Sequence, residues 1–122
     1  MSKKILVVED TEDNRQILRD LLSMAGYDMD EAHDGAEGVA KAAEHRPDLI
    51  LMDIQMPVMD GYEATRRIKA NPELKAIPIV AVTSYALSGD EAKARAAGCD
   101  DYIAKPFSPR QMLAKVREIL GS

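Results

Sequence analysis

Three uninterrupted runs of four apolar residues limit this chain more than any other feature: Ile5-Leu6-Val7-Val8, Leu49-Ile50-Leu51-Met52 and Ile79-Val80-Ala81-Val82. An apolar run without alternation suits a strand buried on both faces, and such strands belong to parallel sheets covered by helices on either side. The sequence between the runs has the matching helical period. Over residues 14–25, Ile17, Leu18, Leu21, Leu22 and Ala25 fall on one helical face, and Gly26 stands where a C-terminal glycine belongs. Asp34 with Glu37, Asp60 with Glu63, and Ser88 with Glu91 each place a capping side chain three residues before a glutamate, the signature of a helix start. The first of these helices runs to about His45 and the last stops at Gly98. Ser108-Pro109 opens a final helix that ends near Leu120, before Gly121.

Two weaker strands complete the series, one around Met29 and one at Tyr102-Ile103-Ala104. Five strands alternating with five helices predict an open parallel sheet with helices on both faces. The weak strands mix polar and apolar residues, which suits edges, so the apolar ones are central. That is the flavodoxin-like α/β arrangement, three layers with strand order 2-1-3-4-5. No linker, repeat or low-complexity segment interrupts the 122 residues, so a single domain over 1–122 is expected.

Composition removes several classes of function. A net charge of −5 leaves no basic surface for direct nucleic-acid binding. The aromatic residues Tyr27, Tyr62, Tyr85, Tyr102 and Phe107 form no stacking platform along one strand. No apolar run reaches the ~20 residues of a membrane span. The N-terminus lacks a signal peptide's apolar region and cleavage site, so a cytoplasmic location with no membrane association is expected. Cys99 is the only cysteine, which excludes an internal disulfide and a multi-cysteine zinc site; it reads as a small, semi-buried apolar residue.

In an open parallel sheet, ligands bind beyond the carboxyl ends of the strands, where the strand order reverses. Glu9 and Asp10 follow the first strand, Asp53 the third, Thr83 the fourth and Lys105 the fifth. A lone aspartate there is ordinarily a solvated loop carboxylate. That reading fails for the set, because every strand but the second delivers a reactive group to one edge. Three clustered carboxylates raise one another's pKa unless a cation neutralises them, and all-oxygen ligands suit Mg²⁺. Lys105 adds a movable positive charge for an incoming anion. A metal and a lysine around a carboxylate are what phosphoryl transfer to that carboxylate requires, and Asp53, ending the central strand, is the best nucleophile.

The motifs KILVVED, LILMDIQMPVMDG, AVTS and YIAKP are individually weak, but in this order and spacing they are specific. From end to end the chain resembles the receiver domains of two-component response regulators, and among them the stand-alone receivers of chemotaxis and cell division. The resemblance implies that Asp53 is phosphorylated from a phosphohistidine on a histidine kinase or a histidine phosphotransfer protein. It implies Mg²⁺ on Asp10, Asp53 and the Gln55 carbonyl, with Glu9 acting mostly through water. Lys105 and Thr83 would contact the phosphoryl group, and Tyr102 would swing from an exposed to a buried rotamer. A cis peptide before Pro106 would aim the lysine. Gln55 and Tyr85 would tune phosphate lifetime, with bulky Tyr85 slowing attack by water. The helix over 88–97, the Tyr102 strand and the last helix would carry output to a downstream protein, while the first helix and the Pro106 loop would meet the phosphodonor. A monomer or weak dimer is expected, acting as a regulatory phospho-acceptor and not as a turnover enzyme.

Other residues have competing readings. Gly61 is either a plain helix-start glycine or the point of a sharp bend. Tyr102 is either edge-strand packing or a switch. His33 and His45 occupy an ordinary loop and an ordinary last helical turn. Met52, Met56 and Met59 read as core or loop filler. A Mg²⁺-dependent phosphatase acting through an aspartyl-phosphate would carry a second acid two residues after the nucleophile, where this chain has Gln55. A flavin or dinucleotide carrier is disfavoured by the acidic, glycine-free loop EDTEDN. A receiver borne by a hybrid kinase is the nearest rival, since MDGYEATRRIK is also a style of those proteins. The start at Met1 and the end just after the last helix favour a free-standing protein.

Overall fold

A computed structural model of the chain describes residues 3–54, 59–83, 90–105 and 107–121. Strands and helices alternate: β1 Lys4–Val8, α1 Glu12–Met24, β2 Asp28–Ala32, α2 Gly35–His45, β3 Leu49–Asp53, α3 Gly61–Ala70, β4 Ile79–Thr83, α4 Asp90–Ala97, β5 Asp101–Ala104 and α5 Pro109–Leu120. The strands form one parallel sheet in the order β2-β1-β3-β4-β5. Both the flavodoxin-like order and the division into central and edge strands are as expected. Every residue of β3 and β4 is buried, whereas β2 and β5 keep most positions partly exposed.

Alternate residues of the central strands feed two apolar layers, as the two-residue strand period requires. Leu6, Val8, Ile50, Met52, Ile79 and Ala81 pack with Ala42 of α2, Ala64 and Ile68 of α3, and Ala94 of α4. On the opposite face Ile5, Val7, Leu49, Leu51, Val80 and Val82 pack with Leu18 and Leu22 of α1 and Met112 and Val116 of α5. Truncating a leucine such as Leu22, fully enclosed in this layer, costs about 2–5 kcal/mol. Among the described residues, no helix is long and apolar enough to cross a membrane.

Helix boundaries follow their local chemistry. The Asp34 side chain accepts from Glu37 N at 2.7 Å and Asp60 from Glu63 N at 2.9 Å. Ser108 and Gln111 cap each other reciprocally. Helix α1 begins two residues before the apolar period suggests, because Glu12 and Asp13 are favoured by the positive end of the helix dipole. Helix α2 ends on Arg46 in the left-handed region at φ 47°, a position without a glycine signal. The expected Ser88 cap lies outside the described residues; α4 begins at Asp90.

Candidate functional site

Strand register alone assembles the site. Val8 pairs with Met52, so the residues that follow, Glu9 and Asp53, leave the sheet side by side. Asp53 pairs in turn with Val82, and Thr83 with Ala104, so Lys105 follows on the next strand. The Lys105 N–H donates to the Thr83 carbonyl at 2.7 Å, which continues the sheet one step beyond β5. Glu9, Asp53 and Thr83 are buried, at 3%, 4% and 1% exposure, while Asp10 is exposed. Buried carboxylates are uncommon unless they are paired or hold a metal.

Lys105 Nζ stands between the two buried acids, 3.5 Å from Glu9 Oε1 and 3.6 Å from Asp53 Oδ2. Ligand oxygens of Glu9, Asp10 and Asp53 all lie within 4.8 Å of one another. Three carboxyl groups thus cluster about one ammonium, two of them buried, and fully ionised they would carry two negative charges more than Lys105 neutralises. Burial pushes the Glu9 carboxyl up; the hydrogen bonds it makes with Asp53 and Asn14, together with Lys105, outweigh this and hold it below the usual carboxylate range. Surplus negative charge on close oxygens, one of them open to water, suits a hard divalent cation that keeps part of its hydration shell. The donor set therefore fits Mg²⁺. A cavity of about 570 Å³ opens beside the acids; Glu9, Asp53 and Lys105 lie at its polar end, and Ile17, Leu18 and Phe107 are among its apolar walls.

Of the five strand-end residues expected at the site, Glu9, Asp10, Asp53 and Lys105 lie together, and Thr83 is buried at the end of the strand that pairs with β3. Gln55, Tyr85, Pro106 and Met56 lie outside the described residues. Tyr102 is half-buried against the layer that contains Ala94 and Cys99. Two residues at the site were not anticipated. Asn14 Nδ2 donates to Glu9 Oε1 at 2.7 Å, and Arg15 Nη1 donates to the Glu9 carbonyl at 2.7 Å. The available signal was positional: both lie in the first turn of a helix that directly follows the acid pair.

The competing readings separate as follows. A Cβ on Gly61 would collide with the Asp53 carbonyl oxygen and come within 2.8 Å of the Ile54 Cα, so the glycine permits a tight return of chain onto the end of β3. His33 Nδ1 lies 2.6 Å from Glu37 Oε1, and His45 pairs with Asp30; neither belongs to the acid cluster. Cys99 is more enclosed than expected, at 5% exposure; burial pushes its thiol up and makes it unreactive. Met52 is core, and Met59 packs against it partly buried.

Comparison with known proteins agrees with this geometry. A family model of the response regulator receiver domain matches residues 5–117. The polar-differentiation response regulator DivK of Brucella anthropi is 44% identical over 121 residues, covering 99% of this chain and 98% of that protein. Among solved structures, the chemotaxis protein CheY4 of Vibrio cholerae superposes with a TM-score of 0.92 at 32% identity, over 98% of this chain and 99% of the other. The receiver domain of a sensor histidine kinase from Pseudomonas aeruginosa matches with a TM-score of 0.93 at 38% identity, over 100% of both chains, and carries a magnesium ion coordinated in its active-site cleft.

Proposed function

This chain belongs to the response regulator receiver domain family, and from that premise we propose that it is a phosphorylation switch with Asp53 as the acceptor. The observation that carries the reading is the position of Asp53: it is buried at the end of the central strand, 3.6 Å from the Lys105 ammonium that also faces Glu9. The 122 residues act as one receiver domain in the cytoplasm, as a monomer or weak dimer, regulating protein partners and not turning over small substrates.

The donor is a phosphohistidine on a histidine kinase or histidine phosphotransfer protein, which approaches over α1 and the loop before α5. One Asp53 carboxylate oxygen forms a bond to phosphorus as the bond from phosphorus to the imidazole nitrogen breaks, and the electron pair leaves with the imidazole. Asp10 and Asp53 hold Mg²⁺, with the Gln55 carbonyl, and Glu9 contributes mainly through water. When bound, the metal neutralises charge on the transferring phosphoryl oxygens. Lys105, already 3.6 Å from Asp53, pairs with a phosphoryl oxygen once the carboxylate is esterified. Buried Thr83 donates its hydroxyl to the same group and draws its loop inward, while Tyr102 turns to fill the space behind it. Output passes to a downstream protein through α4, β5 and α5. Tyr85, two residues beyond Thr83, slows hydrolysis together with Gln55, so Tyr85→Ala is expected to shorten the phosphate half-life.

The deciding experiment is intact mass after incubation with acetyl phosphate and Mg²⁺. One labile phosphoryl adduct, absent from Asp53→Asn and from a sample with EDTA, supports the reading. An adduct that survives in Asp53→Asn refutes it.

A further inference from the structure

Glu9 is gripped at three points. Its N–H donates to the Ala32 carbonyl at 3.0 Å, its own carbonyl accepts from Arg15 Nη1 at 2.7 Å, and its Oε1 accepts from Asn14 Nδ2 at 2.7 Å. The first two fix the backbone. Arg15 is itself immobilised, since its guanidinium lies 2.5 Å from Glu12 and 3.4 Å from Glu31. Of these three bonds the last acts on the carboxylate, which also bonds to Asp53 and faces Lys105 at 3.5 Å, and it is the bond that comes from a neutral donor fixed on a helix. Asparagine side chains near a helix start commonly bond to neighbouring backbone. Asn14 instead spends its amide on an acid five residues earlier, inside the mouth of the cavity.

We propose that Asn14 is a positioning residue, whose amide holds Glu9 Oε1 and thereby turns Oε2 toward the divalent cation of the acidic site. The proposal rests on the metal-assisted reading above. The amide has a second effect at the same oxygen. Lys105 also faces Glu9 Oε1, at 3.5 Å, and a neutral donor there keeps the ammonium from being drawn wholly onto Glu9 and away from Asp53. Asn14 does not touch the transferred group; it acts through Glu9. Partners of metal ligands in this role typically change metal affinity by about 10–100-fold when removed.

The test is Mg²⁺ binding by calorimetry on the full chain, with the melting temperature in EDTA recorded alongside. Asn14→Leu is expected to raise the Mg²⁺ Kd about tenfold while the metal-free melting temperature stays within a few degrees of wild type. Asn14→Ala is expected to behave alike, and covers the case in which leucine perturbs folding. In a Glu9→Gln background the same Asn14 substitutions should change Kd less than twofold, because the carboxylate through which they act is gone. Unchanged Mg²⁺ affinity in both Asn14 variants overturns the proposal. So does an equal loss in the Glu9→Gln background. A wild-type protein that binds no Mg²⁺ overturns the function and the positioning role together. Normal binding in the Asn14 variants alongside Mg²⁺-dependent phosphorylation of the wild type removes the positioning role alone.

Discussion

Two clusters of charge sit less than one helix apart and are built on opposite plans. On the outer side of α1, Arg15 and Arg19 face Glu12 and Glu31 with contacts of 2.5 to 3.4 Å, two cations against two anions. At the carboxyl edge of the sheet, Glu9, Asp10 and Asp53 cluster within 4.8 Å, and the Lys105 ammonium comes no nearer than 3.5 Å to either buried acid. The first cluster is balanced, close and partly solvated, so it ties α1 to β2 at little cost and little gain. The second is unbalanced and buried, an arrangement that weakens the fold on its own and is retained when the missing charge arrives from outside. Unbalanced charge in a dry place marks function; balanced charge in a wet one marks packing.

The largest expected effect breaks the comparison at its centre. Asp53→Asn removes the acceptor and should abolish the phosphoryl adduct with acetyl phosphate, read as intact mass; a persisting adduct would move the chemistry elsewhere. Next is Lys105→Ala, which should slow phosphorylation about 100-fold at saturating Mg²⁺, the scale for losing one preorganised charge-stabilising donor. Arg19→Ala should leave that rate unchanged. If the two variants behave alike, the distinction between the clusters fails.

Mg²⁺ should also stabilise the protein, since it supplies the charge the edge lacks. At a hundredfold excess over its Kd the gain is about 2.7 kcal/mol, lost on adding EDTA and visible as a fall in melting temperature. The balanced cluster predicts less. Arg19→Ala should cost about 0.5–1 kcal/mol, and less at high salt, in denaturant titration.

The smallest effect is on acid stability. Partial burial raises the Asp30 carboxyl, but hydrogen bonds from His45 and the Glu31 N–H outweigh it and leave the group below its ordinary value of 3.8. Asp101 is lowered in the same way, against burial, by Lys115 and the Tyr102 N–H. Groups whose folded pKa is depressed contribute stability above the unfolded pKa and lose it as pH falls through the folded one. Melting temperature should therefore be flat in this respect above about pH 4.5 and decline below it, and Asp30→Asn should flatten part of that decline.

What the chain alone determined follows from local chemistry. Unbroken apolar runs can only be central strands, and Asp34, Asp60 and Ser108 cap helices wherever those helices pack. A residue placed directly after such a strand must emerge at the carboxyl edge, so Glu9, Asp10, Asp53, Thr83 and Lys105 were legible together. Tertiary structure decided the rest, because it depends on how separate elements meet. Strand register set the separations of Lys105 from Glu9 and Asp53. The close return of the chain at Gly61 onto β3 decided between two readings that were equal in sequence. Helix α1, entering two residues earlier than its apolar period implied, turned Asn14 and Arg15 onto the acid. Polar side chains carry no periodic signal for such contacts, since their bonds are set by orientation across elements and not by spacing along one.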